Sequence, residues 1–274
     1  MSPVTQVRRS AVTATVKVRR NASQLTPQEL TAFRAAVEAL QGFPDTRGWQ
    51  YFAGWHWVPQ QWCEHYPSKL FLPWHRSYLY HLELALQSHD ASVTLPWWDW
   101  VAEDTIPRGY DGDPQQNPLA GGPIAPVGAA PQPDWPTATS REPGAAVGQD
   151  PSVLPLPLED RYAWLMQPKD YEEFARRLAM LHNNVHVWTG GTMGQVAWAA
   201  YDPVFFAHHA MVDRLWRIWQ VANPGGLPAA DLLDTPLVSG TKPILTVREV
   251  LDVQTLGYDY ADAGSSVPGT TGTA

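Results

Sequence analysis

Histidines grouped among apolar residues constrain this chain more than any other feature. His182 and His186 stand four apart in a segment with helical period. That spacing stacks two imidazoles on one helix face, close enough to share one metal. His208-His209 follows in a second helical segment, among Phe205, Phe206, Val212, Leu215 and Trp216. Adjacent helical residues diverge by about 100°, so at most one of these two ligates comfortably beside the first pair. An earlier group comprises His56, His65 and His75, the last following Phe71-Leu72-Pro73-Trp74 into a helix. A single i, i+4 pair is weak evidence, since a solvated helix face produces it about as often. Two groups of three in apolar surroundings are harder to explain as core packing, because a buried imidazole needs a partner. All-imidazole ligation suits Cu, and also Zn, Fe or Ni. Spacing alone leaves that choice open.

Composition narrows the setting. Nine His stand against one Cys, which excludes an internal disulfide framework and a thiolate zinc site. Fourteen Trp are unusual. Each buries a large apolar area, and several flank histidines, so they can serve as core and as a rigid wall around a polar site. The net charge of −8, with no Lys/Arg run, argues against nucleic-acid or anionic-membrane partners. The N-terminal stretch with Arg8, Arg9, Lys17, Arg19 and Arg20 carries no apolar run of signal-peptide type. No stretch is apolar enough to span a bilayer. A cytoplasmic protein is expected, or one secreted on a carrier.

The 274 residues fit one large domain, here placed at 1–260, with a Ser/Gly/Thr-rich tail from about Ala261 expected to be disordered. Thr26-Pro27-Gln28-Glu29 reads as a capping box with Pro at the first helical position. It opens a helix with Leu30, Phe33, Val37 and Leu40 on one face. An aromatic segment runs from Trp49 to Trp62, and a helix from near Pro73 to about Gln87. Two more helices are expected, from Tyr171 to about Trp188 after an Asp170 cap and from Val204 to about Val221. Residues from about Glu103 to Leu158 are rich in Pro and Gly and read as a long irregular excursion, either shaping a site mouth or without a role. The fold class is mainly α: a helical bundle with long loops, few short strands and metal held between helices. Asp213 stands four after His209, where its carboxylate could accept a ligand's second N–H and fix the tautomer. The alternative is a cap or an ion pair with Arg214 or Arg217.

The ordered motifs carry a family resemblance. Phe71-Leu72-Pro73-Trp74-His75-Arg76 with Leu82-Glu83 resembles the first copper motif of tyrosinases. Leu95-Pro96-Trp97-Trp98-Asp99-Trp100 resembles their Leu-Pro-Tyr-Trp-Asp-Trp segment, with Trp for Tyr. Leu181-His182-Asn183-Asn184-Val185-His186-Val187-Trp188 and Asp202-Pro203-Val204-Phe205-Phe206-Ala207-His208-His209 resemble the second copper motif. Tyr258-Asp259-Tyr260 resembles the Tyr-x-Tyr that ends the catalytic domain, near Arg19. The likeness spans roughly residues 18 to 260 and is greatest to short bacterial tyrosinases and o-aminophenol oxidases. It implies two copper ions with O2 as co-substrate. His56, His65 and His75 would hold copper A, and His182, His186 and His209 copper B. His208 would then be a neighbour of the ligands, and His81 and His89 would be surface or structural residues. The implied partners are a small phenolic or aminophenolic substrate and, for copper delivery, a separate carrier protein.

Two details refine what the resemblance implies. Cys63-Glu64-His65 matches the Cys-x-His of fungal tyrosinases and molluscan oxygen carriers, where sulfur and imidazole are joined as a thioether. In an extended segment Cys63 and His65 face one side, so the sulfur can reach the ring; the alternative is a free Cys that packs. Hydroxylation of a monophenol also needs a base, because free phenol has a pKa of about 10. In the family an Asn after the first copper B histidine, here Asn183, and a Glu about one turn before it hold a water. Leu178 and Ala179 occupy that neighbourhood here. Glu173 lies nine residues before His182, roughly 13 Å along a straight helix. Oxidation of o-diphenols is therefore expected to lead, with an o-aminophenol oxidase as close alternative. A reversible O2 carrier uses the same copper pair, but small size and the lack of a repeat speak against it. A zinc hydrolase would need a general-base carboxylate beside the His pairs.

Overall fold

The computed structural model describes residues 16–65, 68–103, 105–144 and 158–262. Among them lie strands β1 (Lys17–Arg19) and β2 (Tyr258–Tyr260), and helices α1 (Pro27–Gln41), α2 (Trp49–His56), α3 (Phe71–Gln87), α4 (Leu158–Leu165), α5 (Tyr171–Thr189) and α6 (Val204–Ala222), joined by short 3-10 turns. The class is mainly α, as expected.

Local chemistry explains the main boundaries. The Thr26 hydroxyl accepts from the Glu29 N–H at 3.2 Å, while the Glu29 carboxylate accepts from the Thr26 N–H at 2.8 Å. This is the capping box, and it starts α1 at Pro27. Helix α3 begins at Phe71, two residues earlier than Pro73 suggests. Proline is tolerated in the first turn because its missing N–H would have no intrahelical acceptor there. Helix α4 was not anticipated. Every residue of α6 from Val204 to Trp216 is buried, the mark of a helix at the centre of the core. Helices α3 and α5 pack against it.

Strands β1 and β2 pair in parallel, with Lys17 opposite Tyr258 and Arg19 opposite Tyr260. The pairing delivers the Arg19 guanidinium into the core. There it meets Glu83 of α3 at 2.9 Å and Asp213 of α6 at 3.3 Å. Arg76 of α3 reaches Asp213 at 2.5 Å, and the Tyr258 and Tyr260 hydroxyls donate to the same carboxylate at 2.7 and 2.6 Å. Burial pushes the Asp213 carboxyl up, but Arg76, Arg19 and the Tyr260 hydroxyl outweigh it and hold it below the usual carboxylate range. This buried brace ties α3 to α6.

The excursion is irregular over residues 105–144, as its composition suggests, yet it is fastened to the helices. Arg141 pairs with Asp202 at 2.5 Å, just ahead of α6, and donates to the Leu119 carbonyl at 2.8 Å. Glu142 and Gly144 N–H groups donate to the Thr189 and Trp188 carbonyls at the end of α5, each at 2.8 Å. Residue 104 and residues 145–157 of the excursion, and the tail from residue 263, lie outside the described residues. None of the described helices is long and apolar enough to cross a membrane.

Candidate metal centre

The first histidine group is assembled from three pieces of chain. His56 is the last residue of α2, and its Nδ1–H donates to the Val196 carbonyl at 2.9 Å. The chain then leaves the helix at Trp57 and folds back over α2. Gly54 permits that close approach: a Cβ there would lie 2.6 Å from Gln60 Oε1 and 3.0 Å from Pro59 Cδ. The returning segment brings His65 Nε2 to 3.2 Å from His56 Nε2. His75 stands near the start of α3, its Nδ1–H donating to the Phe71 carbonyl at 2.8 Å. Cys63 Sγ sits among these rings, 3.4 Å from His65 Nε2 and 3.5 Å from His75 Nε2. Burial, with Glu64 nearby, pushes its thiol well above the usual range.

The second group stands on α5 and α6. His182 and His186 present their Nε2 atoms 3.0 Å apart, and His209 Nε2 lies 3.2 Å from His182 Nε2. The Nδ1–H of His186 donates to the Met193 carbonyl at 2.8 Å, and that of His182 to Asn183 Oδ1 at 3.0 Å. Gly190 and Gly191 make the turn that returns Met193 to α5. Both have positive φ, and a Cβ on Gly191 would fall 2.3 Å from the Ser140 carbonyl oxygen. His209 also stacks on His75, ring centroids 4.3 Å apart and 9° from parallel, and so joins the two groups. Phe71 lies against His75 and His182, and Phe205 against His56, His186 and His209.

The hydrogen bonds decide what these nitrogens can do. A backbone carbonyl only accepts, so Nδ1 of His56, His75 and His186 carries the proton. In a neutral imidazole that leaves Nε2 as a lone pair. The rings are neutral: burial, reinforced by neighbouring imidazoles, holds His56, His75, His182 and His209 well below the usual imidazole range. His186 is pushed down to about 4 by burial. At His182 and His186 two lone pairs thus lie 3.0 Å apart with no proton between them, and they repel unless a cation sits among them. Neutral nitrogens oriented through their outer N–H suit copper. The donor set therefore fits two copper ions.

The sequence profile of the common central domain of tyrosinase matches residues 46–222, which hold both groups. The tyrosinase of Streptomyces glaucescens is 39% identical over 193 residues, covering 61% of this chain and 69% of that protein. The chain belongs to the tyrosinase family. Hemocyanin units G and H of Sepia officinalis are 30% identical over 228 residues, covering 77% of this chain but only 39% of that protein. A functional unit of octopus hemocyanin has the same fold, with a TM-score of 0.74 at 24% identity over 90% of this chain and 68% of that one. Family membership and the two histidine clusters fit two copper ions with O2 as co-substrate.

Against this tyrosinase frame, several expectations change. Asp213 touches no imidazole. Its oxygens are engaged by Arg76, Arg19, Tyr258 and Tyr260, while among the described residues His209 Nδ1 has no hydrogen-bond partner. The carboxylate pairs with two buried guanidiniums, one of them shared with Glu83, instead of orienting a ring. Its ion-pair partners are also not the expected Arg214 or Arg217; Arg217 pairs with Asp259 at 3.0 Å. The Glu173 carboxylate is bound by Arg176 and Arg177 at 2.7 and 2.8 Å, and those bonds lower it to about 2. Leu178 and Ala179 are buried. His81 is buried with Nε2 unpartnered, its imidazole lowered to about 4 by burial, and His89 is exposed. The backbone anchors at Val196 and Met193 were missed. Gly190-Gly191 is the one sequence signal that pointed to the second.

Proposed function

We propose that this chain oxidises o-diphenols or o-aminophenols with O2, His56, His65 and His75 holding one copper and His182, His186 and His209 the other. The observation that carries the reading is the orientation of four rings, His56, His75, His182 and His186, with Nδ1 spent on outer acceptors and Nε2 left for the metals. When bound, the copper pair supplies the electron exchange with O2. The chain supplies position. The Val196, Phe71 and Met193 carbonyls and the Asn183 amide hold ring tautomers, and Phe71 and Phe205 keep water from the space between the groups. Asn183 is exposed, and His65 and His186 are partly so, which gives a substrate an approach from that side. Trp57 is the one exposed Trp and meets the His65 ring edge-on at 5.9 Å.

A catechol or o-aminophenol offers two heteroatoms and requires no new C–O bond. A monophenol must lose its proton to a base, and Asn183 cannot take one. With Leu178 and Ala179 where the family has a Glu, oxidation of o-diphenols or o-aminophenols is expected to outrun hydroxylation of matched monophenols. The thioether between Cys63 and His65 belongs to the same reading. It would hold His65, the ligand on the irregular segment, in orientation, and would lower the mass by two hydrogens. The hemocyanin likeness favours a second reading, reversible O2 binding. Oxygen uptake with catechol, o-aminophenol and phenol tests both. Sustained consumption with the first or second supports an oxidase, and reversible O2 binding without consumption supports a carrier.

A further inference from the structure

His208 is fully buried, and among the described residues neither ring nitrogen has a hydrogen-bond partner. A buried imidazole in that state costs free energy that packing alone does not return. Trp100 Nε1–H approaches the His208 carbonyl at 3.5 Å, which fixes the main chain and leaves the ring unpinned. The ring lies parallel to that of His182, centroids 4.9 Å apart and 14° between planes, and edge-on to that of His186 at 4.7 Å. One ligand atom from each of His182, His186, His208 and His209 falls within 4.8 Å of the others. The second metal position thus has four histidines within reach of one ion, although the family reading uses three.

We infer that His208 is a reserve ligand of the second metal position. With His182 and His186 it forms an alternative three-nitrogen set, which accepts an ion while His209 is disengaged. His209 is the better final ligand, because its Nε2 already meets His182 Nε2 at 3.2 Å and its ring stacks on His75. His208 faces Trp98 and Trp100 instead. The handover exchanges one neutral nitrogen for another, so neither charge nor oxidation state changes. Adjacent positions on α6 normally diverge; here the two rings still approach to 4.9 Å between centroids. The inference rests on the two-copper reading above.

Metal titration separates the two ideas. The full-length protein is titrated with Cu(II), and with Zn(II) as a redox-silent probe, and bound ions per chain are counted against a competing chelator. Wild type and His208→Phe are expected to bind two ions, since Phe keeps a ring stacked on His182 and removes only the nitrogens. His209→Ala is expected to bind two as well, the second roughly 10–100-fold more weakly. His208→Phe/His209→Ala is expected to bind one. His208→Leu/His209→Ala repeats the comparison should Phe not fit. If His209→Ala binds only one ion, as the double variants do, while wild type binds two, the reserve role is wrong and the two-copper reading stands. Loss of an ion in His208→Phe with tight retention in His209→Ala would make His208 the primary ligand, and it too overturns the proposal. Fewer than two ions on wild type overturns both.

Discussion

The second histidine group stands on two long helices, α5 and α6, whereas the first is built from the last residue of α2, an irregular stretch and the start of α3. Helix geometry alone sets His182 beside His186, and the buried α6 supplies the third ring. In the first group His65 owes its place to loop packing over Gly54 and to the crowding of Cys63 against His65 and His75. A group carried on two helices and one closed by a loop thus lie side by side, joined by the stacked rings of His75 and His209 and by the brace at Asp213. Substitutions in the loop should therefore touch the first group more than the second.

The largest effects should fall equally on both sides. His75→Ala and His182→Ala are each expected to lower oxygen uptake on catechol at least about 10³-fold, since a metal contributes several kcal/mol of transition-state stabilisation. Residual activity in only one of them would break the symmetry of the pair.

Next comes the brace shared by the two groups. Asp213→Ala leaves the buried Arg76 guanidinium without its counter-ion and Arg19 with Glu83 alone, a loss of about 3–5 kcal/mol of folding stability by urea titration. The contribution has a definite pH sense. Asp213 is lowered in the fold, so its stabilisation is complete above the unfolded value of about 3.9. It is lost as pH falls through the lower folded value. An acid-unfolding midpoint unchanged in Asp213→Asn would remove Asp213 from this role.

Substitutions that touch one site only sharpen the contrast. Gly54→Ala puts a methyl into Gln60 and Pro59. Overpacking of this kind costs about 1–3 kcal/mol, and it should displace the segment that carries His65. In a timed chelator challenge the first copper should leave early while the second stays. Simultaneous loss would mean that the loop does not control the first site. The smallest effect concerns substrate range. Ala179→Glu is expected to raise phenol hydroxylation relative to catechol oxidation by about tenfold, below the 10²–10⁴ of a well-placed base. Glu173→Gln should change neither rate.

The same contrast explains what could be read in the sequence. Helical period and capping placed α1, α3, α5 and α6 within about two residues, because local hydrogen bonding and burial set those ends. The i, i+4 pair on α5 was legible for the same reason. His65 was not legible from spacing, since a loop residue is positioned by contacts distant in sequence, here α2 and α3. Asp213 misled because its spacing from His209 fits an imidazole partner, while Arg19 and Arg76 arrive from elsewhere in the chain. For His208, adjacency on a helix argues that at most one of the two rings ligates comfortably; that both reach the same cluster was not legible from spacing.

The central claim is that two separate three-nitrogen sites hold one copper each. Metal analysis of the copper-loaded protein, with wild type beside His75→Ala and the double variant His182→Ala/His208→Phe, which leaves the second position two nitrogens, checks this. The account predicts two coppers per chain in wild type and one in each variant, with the surviving copper still bound. One copper per chain in wild type, or loss of both from either variant, would contradict it.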